Sequence, residues 1–194
     1  MSIYTIVIIV VSFFFVCWLV YTIVVSYQKN AMETQLRQSN GFSMTHKYLA
    51  PNGSSGIGID EIHKSINLVK YISGQGSISR IVKYEDIISV EVSEDDVPLM
   101  RSTRTNQTGK YMENGHALGG VDILVGETSS SPNQGGTVKN ISLRLIINDN
   151  NDPTHEVSFL EYQAKRGDSK HQAAMHQARH WYTLVATLIK ETES

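Results

Sequence analysis

Two histidines, His176 and His180, stand four residues apart near the C-terminus, a spacing at which one helix face can offer both rings to a zinc ion. No Asp or Glu accompanies them, and on a helical wheel they point away from the apolar stripe of their segment. The pair therefore reads as solvated surface, without a metal. Gly53-Ser54-Ser55-Gly56 falls one residue short of the Gly-x-Ser-x-Gly elbow of a serine hydrolase and follows Pro51-Asn52, which makes it a turn. Gly56-x-Gly58 and Gly74-x-Gly76 lack the third glycine and the following helix of a dinucleotide site, and no Gly-x4-Gly-Lys phosphate loop occurs. Asp149-Asn150-Asn151-Asp152 has the composition of a calcium loop. Its twelfth position is Leu160 where a bidentate Glu is needed, so it reads as a hairpin turn. Glu94-Asp95-Asp96 reads as a solvated turn, with Arg101, Arg104 and Lys110 forming a mildly basic loop beside it. The lone cysteine, Cys17, supports neither a disulfide framework nor a thiolate metal site. No catalytic constellation and no cofactor motif emerges.

The elements that would hold these residues begin with a membrane anchor. Residues 3–27 contain no Asp, Glu, Lys, Arg or His. At helical rise the run spans roughly 37 Å, enough for a hydrocarbon core of about 30 Å. A helix satisfies every backbone group within such a segment. Tyr4 and Tyr27 suit the interfacial belt. The run is too long for a cleaved signal peptide and lacks the basic start. Lys29, Arg37 and Lys47 follow it and no Lys or Arg precedes it, so the positive-inside bias places the N-terminus outside and the remaining chain in the cytoplasm. The expected division is an anchor at 1–28, a juxtamembrane linker at 29–41 and a β domain at 42–194. The 194-residue chain carries 17 basic and 19 acidic residues, which gives no reason to propose nucleic acid as a partner.

From residue 42 the period changes to two. Strands are expected at 42–48, 56–60, 66–72, 78–82, 87–92, 138–148 and 155–160, separated by Gly/Pro/Asn/Asp turns. Residues 93–136 form a polar, glycine-bearing insert in which 121–125 alone has strand character. The last element is a helix over 169–191, capped by Asp168 or Ser169. Ala174, Ala178, Trp181, Val185 and Leu188 make its apolar stripe. One stripe on a helix after about seven antiparallel strands must cover an opening of the sheets.

Ile59-Asp60, the strand at 66–69, and Tyr84-Glu85-Asp86-Ile87-Ile88-Ser89-Val90-Glu91-Val92 together resemble a bacterial pleckstrin-homology-like domain. Leu118-Gly119-Gly120 and Gly126 echo that group's glycine-bearing insert, and its closing hairpin and Ala-rich helix correspond to 138–160 and 173–189. The resemblance implies a split or bent antiparallel barrel capped by the C-terminal helix, and with the single transmembrane helix read above the expected location is a bacterial inner membrane. The anchor and the lack of a catalytic constellation give the expected function: a non-enzymatic membrane-tethered scaffold module, with a protein partner at the membrane. Lipid headgroups are a weaker candidate, because clustered basic residues are lacking. The alternative is a membrane-linked hydrolase whose residues lie in the 93–136 insert. The binding residues expected on the first reading are Arg101, Arg104 and Lys110.

Overall fold

The computed structural model describes residues 2–37, 41–104, 112–113, 116–117, 123–124, 136–160 and 162–193. Helix α1 runs unbroken over Ile3–Arg37. The anchor and the segment expected as a linker are thus one helix as far as Arg37. Strands β1 (His46–Leu49), β2 (Ser55–Asp60), β3 (Ser65–Ile72) and β4 (Gly76–Lys83) form an antiparallel meander in that order. A 3-10 turn, Tyr84–Asp86, leads into β5 (Ile87–Glu94), which hairpins into β6 (Val97–Thr103). Short strands follow: β7 (Met112–Glu113), β8 (His116–Ala117), β9 (Ile123–Leu124) and β10 (Thr137–Val138). Then come β11 (Ile141–Ile147), β12 (Thr154–Leu160), β13 (Ala164–Lys165) and helix α2 (Ser169–Glu191). The second sheet has the order β12-β11-β5-β6-β9, with β7-β8 and β10-β13 as separate pairs.

Strand alternation decides what each face buries. Ile57 and Ile59 of β2 pair with Leu68 and Ile66 of β3 and point inward. Val90 and Val92 of β5, Leu143 and Leu145 of β11, and Val157 and Phe159 of β12 meet them from the second sheet. Helix α2 closes this core with Ala174, Ala178, Trp181, Val185 and Leu188, the stripe read from the sequence. Trp181 lies 6.2 Å from the Tyr48 ring, which stacks on Phe159 at 4.4 Å. The two main sheets share no hydrogen-bonded strand pair among the described residues, so the barrel is open along its seams.

The outward face of the first sheet receives α1. Met32 and Leu36 are fully buried there, against Val69, with Met44, Leu49 and Tyr71 at the margin. Gly56 and Gly58 make the approach possible. A Cβ on Gly58 would lie 3.3 Å from Leu36 Cδ2, and one on Gly56 would lie 3.5 Å from Met32 Cε. The Gly-x-Gly spacing is therefore a helix-docking platform. Asn67 Nδ2 donates to the Leu36 carbonyl at 3.4 Å, serving one of the acceptors that a helix end leaves open. Lys47 Nζ reaches Glu33 at 2.5 Å and fixes the outer side of the helix.

Strand β6 is the main departure from expectation. Val97–Thr103 was assigned to a polar insert, yet it pairs along β5, with Glu91 opposite Arg101 and Val92 opposite Met100. Its polar alternation hides the strand, because its partners on that face are themselves polar. Of the expected strand 121–125, Ile123–Leu124 pairs with Met100 and Arg101 of β6, while Val121, Asp122 and Val125 lie outside the described residues.

Candidate functional site

Polar side chains line a cleft of about 450 Å³ where β2 of the first sheet meets β12 of the second. Ser54 and Ser55 come from the start of β2, Lys70 from β3, Lys139 and Asn140 from the link between β10 and β11, and Glu156 and Ser158 from β12. The Ser158 amide donates to Ser55 Oγ at 3.2 Å and its hydroxyl donates to Asn140 Oδ1 at 3.2 Å. Asn140 Nδ2 in turn approaches Glu156 at 3.4 Å. The backbone N–H groups of Lys139 and Asn140 both donate to Asp95 Oδ1, at 2.8 and 2.9 Å, which fixes the rim. Lys139 is exposed and makes no ion pair among the described residues, so its ammonium is available to a ligand. The cleft offers hydroxyls, an amide, two ammonium groups and one carboxylate. That set suits recognition by hydrogen bonding and charge.

Ion pairs latch the seam beside it. Lys70 meets Asp152 at 3.0 Å and Arg80 meets Asp149, so both acids of the expected hairpin turn tie β11–β12 to the first sheet. His155 is 8% exposed, with Nε2 lacking a hydrogen-bond partner among the described residues. Burial first, and the nearby Lys70 second, push its pKa down to about 4, and Arg80 adds to the fall while Asp152 opposes it. The ring is neutral in the folded protein at ordinary pH.

A second polar assembly starts at Glu156 of the cleft and crosses the face of the second sheet turned away from the core. Register puts Glu156, Arg144, Glu91 and Arg101 in one row over four strands. Glu91 is 3% exposed; Arg101 donates to it and Arg144 lies 3.8 Å away. Opposite charges facing each other across strands stabilise pairing and set register. At the far end of β5, Glu94 is held by Arg166 and by His171 at 3.0 Å. Asp168 caps α2 by accepting from the His171 amide at 2.7 Å, and that hydrogen bond holds its carboxyl below the usual range.

These positions correct two expectations. Glu94 belongs to no solvated turn: it is buried and ties β5 to the start of α2, while Asp95 and Asp96 alone make the turn. Arg104, expected as a surface contact, is 7% exposed and donates to the carbonyls of Ile87 and Tyr84 and to Thr192 Oγ1. It joins β5 to the end of α2, a role for which its guanidinium geometry suits it. Arg101 stays half-buried on Glu91, and Lys110 lies outside the described residues. The expected trio does not form one basic surface among the described residues. His176 and His180 are exposed on α2, and no cluster of three metal-ligating side chains occurs among the described residues. Glu91 carried a signal in the sequence, being a lone acid inside an apolar strand. The cleft carried none, because its residues come from four separate segments.

A family model described as "Glycine zipper containing PH domain" matches residues 46–161. The chain is 22% identical over 119 residues to a protein named "Immunity protein" of Bacillus phage SPbeta, covering 57% of each chain. It is also 22% identical over 119 residues to an SPbeta prophage-derived uncharacterized membrane protein, YomJ, of Bacillus subtilis (strain 168), covering 57% of this chain and 51% of that one. The chain thus spans about half the length of these curated relatives. No solved structure matches it.

Proposed function

This chain belongs to the family of glycine zipper containing PH domains, and on that premise we propose that it is a binding module, without catalytic activity, held by one helix on the cytoplasmic face of a bacterial membrane. The observation that carries this reading is the seating of α1 on the first sheet. Because Met32 and Leu36 bury into the domain from the helix that also carries the apolar span, the domain cannot leave the membrane surface. Tethering raises the effective concentration of a weak binding site toward other membrane proteins. The cleft around Lys139 and Asn140 is the contact surface we assign, and Arg101, half-buried on Glu91 three strands from Glu156, is assigned as a separate contact. The name of the phage relative supports one class of partner, an agent against which the cell is protected.

Co-purification of the full-length chain from detergent-solubilised membranes tests the reading. Lys139→Glu should reduce recovery of the membrane partner while leaving the melting temperature unchanged. Recovery unaffected by this change, or substrate turnover by the wild type, overturns it. The positive-inside argument for orientation is checked separately: a C-terminal reporter active only in the cytoplasm should be active.

A further inference from the structure

We propose that the loop carrying Tyr162 is a second membrane contact, seated in the headgroup layer beside Tyr21, and that the hydrocarbon span of α1 ends near Val20. Tyr21 belongs to the uncharged run, and Tyr162 lies in the folded domain between β12 and β13. Their hydroxyls are 2.6 Å apart, and both rings remain exposed, at 51% and 56%.

Helix α1 serves as a ruler. Lys29 lies against Gly53, Met32 against Gly56 and Leu36 against Gly58. At 1.5 Å per residue, Tyr21 is about 12 Å before the first of these contacts and about 22 Å before the last. Of these contacts among the described residues, the one at Tyr162 lies nearest the N-terminal end of the helix. Irregular backbone exposed to lipid does not occur within hydrocarbon, because its N–H and C=O groups would find no partners. The level of Tyr162 then bounds the hydrocarbon from the domain side. Residues 3–20 span about 27 Å, close to a core of about 30 Å. The whole uncharged run would span about 37 Å and would draw the Tyr162 loop about 9 Å into the hydrocarbon.

The surroundings of Tyr162 suit a headgroup layer. A tyrosine with an apolar ring and a wet hydroxyl is a usual interfacial residue. Lys165 follows in β13, opposite Thr137 of β10, and is exposed. Such a cation favours the anionic cytoplasmic leaflet. The occupant is the bilayer surface itself, continuous with the span that α1 already makes.

The test uses full-length protein with Cys17→Ser, which removes the native thiol, reconstituted in phosphatidylcholine/phosphatidylglycerol vesicles. Single cysteines at Tyr162, at its neighbour Gln163, and at Ile62 carry an environment-sensitive fluorophore. Ile62, 70% exposed in the β2–β3 turn, is the control. Lipids quenching at the headgroup level should quench labels at 162 and 163 several-fold more than at 62, with blue-shifted emission. Two results overturn the proposal: quenching at 162 and 163 no greater than at 62, or quenching by deep acyl-chain quenchers that exceeds the headgroup-level effect.

Discussion

His155 makes the stability of this domain depend on pH in a window set by its burial. The ring sits at an inward position of β12, opposite Leu145, with Lys70 and Arg80 near it. The unfolded chain binds a proton at this group below about 6.5 and the folded domain only below about 4. Stability from this group is therefore complete above the unfolded value and falls as pH drops through that window. At 1.36 kcal/mol per unit, the loss reaches about 2–3 kcal/mol near pH 4.5. Asp60, where burial raises the carboxyl but hydrogen bonds from His63 and the Ser43 amide together outweigh it, and Asp168, held low by the His171 amide, lose their own contributions only as pH falls further. His155→Leu keeps an apolar side chain of similar reach and removes the titration. Urea unfolding of the full chain in micelles, followed by Trp181 emission in a Trp18→Phe background, measures both proteins near pH 7 and near pH 4.5. The wild type should lose about 2–3 kcal/mol more than the variant over that interval, by the same linkage. Parallel losses in the two proteins would show that the ring is hydrated or paired in the folded state, and the reasoning would fail.

Trp181→Ala should cost about 3–5 kcal/mol in urea unfolding followed by far-ultraviolet circular dichroism, because the indole is 3% exposed and its loss leaves a large void between Tyr48 and the sheets. Arg104→Ala should lower stability by roughly 2–3 kcal/mol by leaving the carbonyls of Ile87 and Tyr84 without their donor, and should not act through partner binding; an unchanged melting temperature would contradict this. Removal of residues 1–41 should leave the outward face of Val69 and Tyr71 uncovered, so a chain starting at Gln28 should be better folded and less prone to associate by size-exclusion chromatography. Gly58→Val should loosen α1 from the sheet, detected as faster hydrogen exchange around Leu36.

Much of this protein could be read from local pattern. A run of 25 residues without Asp, Glu, Lys, Arg or His cannot sit in water as a bare helix, so a helix long and apolar enough to span a membrane followed from composition alone. Helix α2 was legible to its ends, since Ala174, Ala178, Trp181, Val185 and Leu188 repeat with the period of a helix and Asp168 caps it. Strands β2, β3, β5, β11 and β12 were legible because each alternates apolar residues toward one core. Other features depend on residues that are distant in the chain. β6 is a strand because Glu91 of β5 lies opposite Arg101, and a polar partner erases the apolar alternation that marks a strand. Gly56-x-Gly58 is a docking platform only because Leu36 arrives from a helix some twenty residues earlier. Arg104 looks like a loop cation in sequence, and the carbonyls of Tyr84 and Ile87 together with Thr192 make it internal. The cleft unites Ser55, Lys70, Lys139 and Ser158 only after two sheets have met, because burial and charge pairing are properties of neighbours in space.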